Sequence, residues 1–258
     1  MKKILLVFGT RPEAIKMAPV VKALQSRPKK FHTVVCVSGQ HREMLDQVLS
    51  AFQIIPDYDL SIMQANQTLF DITTKILNQM KHLLMQIKPD VVLVHGDTST
   101  TFVTALACFY LNIPVGHVEA GLRTYNIQAP YPEEFNRQAT GIITQYHFAP
   151  TETARQNLIR EGKAAETIYV TGNTAIDALK TTVRNDYHHP LFDWLKDDRL
   201  IMLTAHRREN LGQPLKNMFT AIERIVREHP DIKVIYPVHL NPKVKSTAKH
   251  ILGHHSRI

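Results

Sequence analysis

Three acidic residues of this 258-residue chain stand next to apolar segments, at positions where they could transfer protons. Asp97 comes shortly after Val91–Val94, Glu119 comes directly after Val115–Val118, and Glu133 stands at the start of a predicted helix. Clustered carboxylates push each other's pKa values apart, so that one can accept a proton while another donates one. Asp97 could instead be an ordinary helix N-cap. The three could also bind Mg²⁺, although nearby cations make a metal less necessary.

Cations follow two other apolar segments. Arg11 and Lys16 come after Gly9 at the start of a predicted helix, where free backbone amides and the positive end of the helix dipole favour an anion. His206 and the two arginines after it follow a later predicted strand, and arginine offers a planar set of donors to a phosphate or diphosphate. A tight turn and a solvated run of charges are the less specific interpretations. We expect both segments to bind an anion.

The two common phosphate-binding motifs do not occur where they would be needed. G-x-G-x-x-G does not follow the first predicted strand, and the chain contains no G-x-x-x-x-G-K-[ST]. This disfavours dinucleotide-dependent oxidoreductases and P-loop nucleotidases. Taken together, the carboxylates and cations predict proton-transfer chemistry on a phosphorylated, nucleotide-linked substrate.

Short apolar strands alternate with amphipathic helices along most of the chain, which is typical of a parallel sheet covered on both faces. The predicted strands of the first part are Lys3–Phe8, Thr33–Val37, Val91–Val94, Val115–Val118 and Ile168–Thr171. The predicted helices are Pro12–Leu24, His41–Phe52, Thr68–Ile87, Thr98–Tyr110, Pro132–Ile143 and one opened by a capping box of Thr174 and Asp177. Ligands of such sheets bind outside the carboxyl ends of the strands. The candidate residues should therefore meet at one rim.

The chain is predicted to form two α/β domains. Residues 1–183 form the first and carry the carboxylates, and residues 184–198, rich in charged and turn residues, form a linker. Residues 199–258 provide only two strand–helix units, which bury little surface by themselves, so the second domain is predicted to be incomplete.

Composition and charge exclude several classes of protein. Lys and Arg number 31 against 23 Asp and Glu, a net charge of +8 that suits an anionic partner. No basic stripe interleaved with aromatic residues supports binding to nucleic acid.

The two cysteines have no short spacing, which rules out a disulfide scaffold and a cysteine-based zinc site. No apolar run approaches the ~20 residues of a membrane helix, and the start lacks a cleavage site, so we expect a cytoplasmic protein.

Seven segments of the chain resemble the non-hydrolysing UDP-N-acetylglucosamine 2-epimerases of bacteria. They are long and specific, and the resemblance runs from Met1 to about Gly253. The segments are FGTRPEAIKMAP (Phe8–Pro19), SGQHREMLDQVL (Ser38–Leu49), VLVHGDTSTT (Val92–Thr101), PVGHVEAGLRT (Pro114–Thr124), YPEEFNR (Tyr131–Arg137), TGNTAIDAL (Thr171–Leu179) and AHRREN (Ala205–Asn210).

The resemblance implies a GT-B-type fold, with two Rossmann-like domains and the substrate in the cleft between them. It implies interconversion of UDP-N-acetylglucosamine and UDP-N-acetylmannosamine for surface polysaccharides, by elimination of UDP to a 2-acetamidoglucal and re-addition after exchange of the C2 proton. Neither a nicotinamide cofactor nor a metal is implied. The resemblance also suggests a homodimer.

Matching segments carry the family's functional residues over to this chain. Asp97, Glu119 and Glu133 match the acid/base carboxylates, and His206 matches a catalytic residue close to the departing phosphate. The substrate-binding residues implied are Arg11, Lys16, Asp97, Glu119 and His206. A second, allosteric position for UDP-N-acetylglucosamine is implied at Gln40, His41 and Gln67.

The chain departs from the family at its carboxyl end. It stops at Ile258, before a Ser-Gly-Gly…Glu-Glu loop that grips the UDP in family members, so a C-terminally truncated chain is expected. The missing loop supports one alternative, an inactive sugar-nucleotide-binding remnant. Independently of the loop, a hydrolysing relative that releases N-acetylmannosamine and UDP is the closest rival interpretation. A glycosyltransferase shares the fold by analogy only.

Overall fold

The computed structural model describes residues 1–39, 42–64, 67–207 and 210–258. The chain divides into two compact units, Met1–Val183 and Arg184–Ile258.

The first unit is built on a seven-stranded parallel sheet with the order β3-β2-β1-β4-β5-β6-β7. Its strands are β1 (Lys2–Phe8), β2 (Phe31–Val37), β3 (Tyr58–Asp59), β4 (Val91–His95), β5 (Val115–Val118), β6 (Tyr146–Ala149) and β7 (Ile168–Val170). Its helices are α1 (Arg11–Gln25), α2 (Arg42–Ala51), α3 (Leu69–Ile87), α4 (Ser99–Tyr110), α5 (Glu133–Ile143), α6 (Glu152–Arg160) and α7 (Thr174–Thr182). The chain builds outward from β1 in one direction and then, from β4, in the other. The carboxyl ends of β1 and β4 therefore form a topological switch point, where ligands of such sheets bind.

Alternate side chains of β1 enter two separate cores, one on each face of the sheet. Leu5 and Val7 pack with residues of α3 and α4, whereas Leu6 and Phe8 pack with residues of α1 and α2. The strands are apolar on both faces because both faces are covered. This confirms the predicted parallel α/β arrangement. Both cysteines are buried and free.

The strands β3 and β6 and the helix α6 are not predicted by the sequence pattern. The four residues of β6 include only two buried side chains, one of them His147, so they lack the apolar run on which the strand prediction relied. The predicted capping box at the start of α7 is wrong. Asn173 is the N-cap, and its side chain accepts a hydrogen bond from the amide of Ala175 at 3.0 Å. Asparagine is among the best N-cap residues, and it lies one position earlier than the box required.

The second unit contains a two-stranded parallel sheet of β8 (Arg199–Met202) and β9 (Ile232–Ile235). Its helices are α8 (Pro190–Leu195), α9 (Gln213–Glu228) and α10 (Pro242–Leu252). Phe219 of α9 and Val244 of α10 are fully buried in its core. The segment predicted as a linker, 184–198, includes α8. In the described part of the chain, no helix combines the length and the apolar character needed to cross a bilayer.

Candidate functional site

The carboxyl ends of three neighbouring strands bring the candidate residues of the first unit together. Gly9 follows β1, Asp97 follows β4 after one glycine, and Glu119 follows β5 directly. Because β1, β4 and β5 are adjacent and parallel, these ends lie at one rim of the sheet. The site therefore occupies the topological switch point.

Glu119 has an unusual backbone and a tightly placed side chain. Its φ is +65°, in the left-handed region that costs a non-glycine residue about 1–2 kcal/mol. Its Oε2 forms an ion pair with the ammonium group of Lys16, from the second turn of α1, and the two side chains are 14% and 25% exposed. The structure thus places a cation predicted to bind the nucleotide beside a carboxylate predicted to transfer protons.

Asp97 is held by two residues of α5. The Nη1 atom of Arg137 lies 3.4 Å from its Oδ2, and the side-chain amide of Asn136 donates to its backbone carbonyl at 3.0 Å. The pKa of Asp97 is raised to about 6: burial is the largest cause, the negative charges of Glu133 and Glu119 add to the rise, and the positive charge of Arg137 opposes it. A carboxyl group that titrates near neutrality can both accept and donate a proton.

Adjacent acids at the start of α5 occupy different environments. Glu133 is half-buried, and its negative charge contributes to the raised pKa of Asp97. Glu134 is fully buried and accepts hydrogen bonds from the amides of Thr124 and Tyr125, both at 3.0 Å. It also accepts from Arg137 at 2.6 Å and from the side-chain amide of Gln138 at 2.8 Å. Burial raises the pKa of Glu134, but these bonds outweigh it and lower the pKa to about 2. Glu134 therefore fixes the loop before α5.

Glu13, to which the sequence analysis gave no role, is a buried carboxyl group at the same rim. It accepts hydrogen bonds from the amides of Gly9 at 2.9 Å and Thr10 at 2.7 Å, and from the hydroxyls of Thr98 at 2.7 Å and Thr101 at 3.2 Å. It therefore ties the turn after β1 to the start of α4, next to Asp97. Burial raises its pKa despite these bonds. The T-x-x-E spacing of Thr10 and Glu13 is a capping-box signal that could have found it.

The remaining candidates of the first unit lie in several settings. Arg11 is exposed at the first position of α1. The side-chain carbonyl of Gln67 accepts a hydrogen bond from the amide of Gln64 at 3.1 Å, just before α3. Gln40 and His41 lie outside the described residues. In the part of the chain that the structure describes, no group of three or more His, Cys, Asp or Glu side chains is arranged to hold a metal ion.

His206 belongs to the second unit, where it follows β8. It is exposed, and its ring stacks on that of His239 with centroids 4.9 Å apart. The hydroxyl of Tyr236 donates to the carbonyl of Ala205 at 2.7 Å, which joins the segments after β8 and β9. A stacked, exposed imidazole beside a strand end is available to a ligand phosphate.

The raised pKa of Asp97 predicts how stability depends on pH. The folded state keeps a proton on Asp97 up to about pH 6, whereas the unfolded chain releases it near pH 4. The contribution of Asp97 to the free energy of unfolding is therefore lost as the pH rises between those values. We expect the Asp97→Asn variant, which never ionises there, to become more stable relative to wild type from pH 4 to 7. The gain should be about 1–2 kcal/mol, because partial exposure weakens the full effect. Urea denaturation at each pH measures it, and a constant difference would contradict the environment described.

Comparisons with known proteins agree on one family. The model of the UDP-N-acetylglucosamine 2-epimerase family matches residues 22–258. A UDP-N-acetylglucosamine 2-epimerase of Bacillus subtilis is 58% identical over 256 residues, which are 99% of this chain and 67% of that protein. The crystal structure of the Neisseria meningitidis enzyme bound to UDP-GlcNAc matches with a TM-score of 0.86 and 47% identity, over 99% of this chain and 71% of that one. The Methanocaldococcus jannaschii enzyme in complex with UDP-GlcNAc and UDP matches with a TM-score of 0.75 and 34% identity, over 96% and 68%. These matches confirm the predicted GT-B-type α/β fold.

Proposed function

Because the chain belongs to the UDP-N-acetylglucosamine 2-epimerase family, we propose that it interconverts UDP-N-acetylglucosamine and UDP-N-acetylmannosamine. Beside the family itself, one observation carries the proposal. Glu119 pairs with Lys16 and lies close enough to Asp97 to raise its pKa, at the switch point of the sheet. This arrangement offers groups that exchange protons and a cation that balances their charge.

The proposed reaction has two balanced stages. A carboxylate removes the C2 proton, the C1–O bond to UDP breaks, and the electron pair of the C2–H bond forms the C1=C2 double bond of a 2-acetamidoglucal. UDP then adds back at C1 while a carboxyl group returns a proton to the opposite face of C2. We assign these proton transfers to Asp97, Glu119 and Glu133. The neutral-range pKa of Asp97 suits a group that works in both directions.

We assign the nucleotide to Arg11, Lys16 and His206. Arg11 stands at the start of α1, where the helix dipole attracts anions. His206, carried by the second unit, is the proposed partner of the departing phosphate. This division gives residues 1–183 the acid/base groups and residues 199–258 part of the nucleotide site.

A homodimer in the cytoplasm is part of the proposal, and light scattering tests the dimer. The allosteric role of Gln40, His41 and Gln67 stays a prediction.

Proton NMR of UDP-N-acetylglucosamine incubated with the chain in D₂O tests the function. We expect the C2 proton signal to disappear while signals of a manno-configured nucleotide sugar grow. Free N-acetylmannosamine together with UDP would instead identify a hydrolysing enzyme. No exchange with a protein that circular dichroism shows to be folded would contradict the proposed activity of this chain.

Removal of the His206 imidazole is expected to weaken UDP binding. His206→Ala deletes one donor to phosphate, and we expect a loss of affinity of about tenfold, since a hydrogen bond to a charged group contributes about 1.5 kcal/mol or more. Isothermal titration with UDP measures this. The matched control is His250→Ala, which removes an exposed histidine from α10 and should leave the affinity unchanged. Equal UDP affinity of the His206 variant and wild type would contradict the phosphate assignment.

A further inference from the structure

His95 is a buried polar side chain at the proposed site that the mechanism above does not use. It is the last residue of β4, one peptide before Gly96-Asp97, and its side chain is 4% exposed. Among the described residues, neither of its ring nitrogens has a hydrogen-bond partner. A buried polar group without a partner costs about 1–3 kcal/mol, so its position calls for an explanation.

The ring of His95 faces the carboxylate of Glu119. Its Nε2 lies 3.9 Å from Oε1 of Glu119, and Lys16 already pairs with the other oxygen, Oε2. A hydrogen bond of ordinary length needs the two side chains to approach by only about 1 Å. Another neighbour, His117 of β5, uses its Nε2 on the carbonyl of Gly96 at 2.6 Å, and its Nδ1 has no partner among the described residues.

The surroundings of His95 favour an uncharged ring. Burial is the largest cause that lowers its pKa, the positive charge of Lys16 and the proximity of His117 add to it, and the pKa falls to about 3. A neutral imidazole carries one N–H. With that hydrogen on Nε2, the ring offers Glu119 a donor without bringing a second full charge into the site.

We propose that His95 is a positioning residue whose Nε2–H donates to Oε1 of Glu119, so that His95 and Lys16 together hold both oxygens of the carboxylate.

Glu119 needs a positioning residue because its long side chain has several rotamers, and restricting them to one costs free energy. The ammonium of Lys16 is also carried on a flexible chain. His95, in contrast, is fixed at the end of a buried strand, and a reacting group displaced by 1 Å can cost about 10²-fold in rate.

The hydrogen bond can be tested without substrate, in NMR spectra of protein labelled with ¹⁵N-histidine. We expect His95 as the neutral tautomer with its hydrogen on Nε2, and a downfield N–H proton that moves upfield in Glu119→Gln. His147 of β6, another buried histidine, serves as the internal control, and its signals should not move. A hydrogen on Nδ1, or an N–H signal indifferent to the Glu119 change, would overturn the proposal.

Kinetics test the positioning role, which rests on the proposed function. His95→Leu fills the space without a donor, and we expect kcat to fall about tenfold to hundredfold with little change in KM. His95→Gln keeps an amide donor near the Nε2 position and should restore most of kcat, whereas His147→Leu should leave it unchanged.

Equal kcat in the Leu and Gln variants of His95 would reduce the residue to packing and refute the role. If wild type shows no epimerisation, or the Leu variant does not fold, the NMR measurement on the wild type still decides whether the hydrogen bond exists.

Discussion

The Asp97→Asn variant is expected to exchange the C2 proton of UDP-N-acetylglucosamine about 10²–10⁴-fold more slowly than wild type, which is the usual contribution of general acid–base catalysis. Asparagine keeps the size of the side chain and the backbone bond to Asn136, so the local structure should persist. It cannot accept a proton. Arg137 keeps its second carboxylate partner, Glu134, at 2.6 Å, so the substitution does not strand that cation.

Deuterium incorporation at C2, followed by NMR, measures this loss separately from UDP binding. The control is Asp186→Asn, which makes the same chemical change at an exposed turn residue of the second unit and should leave the rate unchanged. The affinity for UDP should change little in either variant. A turnover by Asp97→Asn close to that of wild type would remove Asp97 from proton transfer and leave Glu119 and Glu133 as the remaining candidates.

The second large effect is expected at Gly121, two residues after Glu119. Its φ is +87°, and a Cβ atom there would lie 2.2 Å from the carbonyl oxygen of Ala154 in α6. The side-chain amide of Asn157 donates to the carbonyl of Gly121 at 2.9 Å and draws the loop onto the same helix. Gly121→Ala combines a left-handed backbone, about 1–2 kcal/mol, with a clash against rigid backbone, about 1–3 kcal/mol.

We therefore expect Gly121→Ala to lower the free energy of unfolding by about 2–5 kcal/mol in urea denaturation. Gly162→Ala separates the two causes, because Gly162 has a φ of +78° and no atom within 4 Å of the position of a Cβ. In that control the free energy of unfolding should fall only by the cost of the left-handed backbone, about 1–2 kcal/mol. Similar losses at both positions would show that the loop after β5 shifts to relieve the clash with α6, and would contradict the expected extra cost at Gly121.

Much of the site could be predicted because parallel strands carry their loops to one rim. The β4 and β5 segments are short and rich in valine, so both could be predicted as strands, and the residues after them, Asp97 and Glu119, could be expected at one rim of a parallel sheet. The pairing of Lys16 with Glu119 depends on side-chain directions across 103 positions, which no local pattern records.

Other features depend on burial that the sequence does not display. Glu133 and Glu134 are neighbours in the chain, but successive residues of a helix point about 100° apart, and only the packing of α5 decides which one becomes structural. The strand β6 was missed because His147 and Tyr146 interrupt its apolar character. His95 was visible only as part of a strand end, and its unpartnered nitrogens appear once the sheet is assembled.

The left-handed backbone of Glu119 sets a limit on redesign of this protein. A library scored on expression or heat resistance would favour glycine or asparagine at position 119, since both adopt a φ of +65° more readily than glutamate. The best-scoring sequences of such a screen would lose the carboxylate, in line with the frequent trade between stability and activity. Engineering for robustness should therefore hold position 119 constant and seek its gains on the helices that cover the outer faces of the sheet.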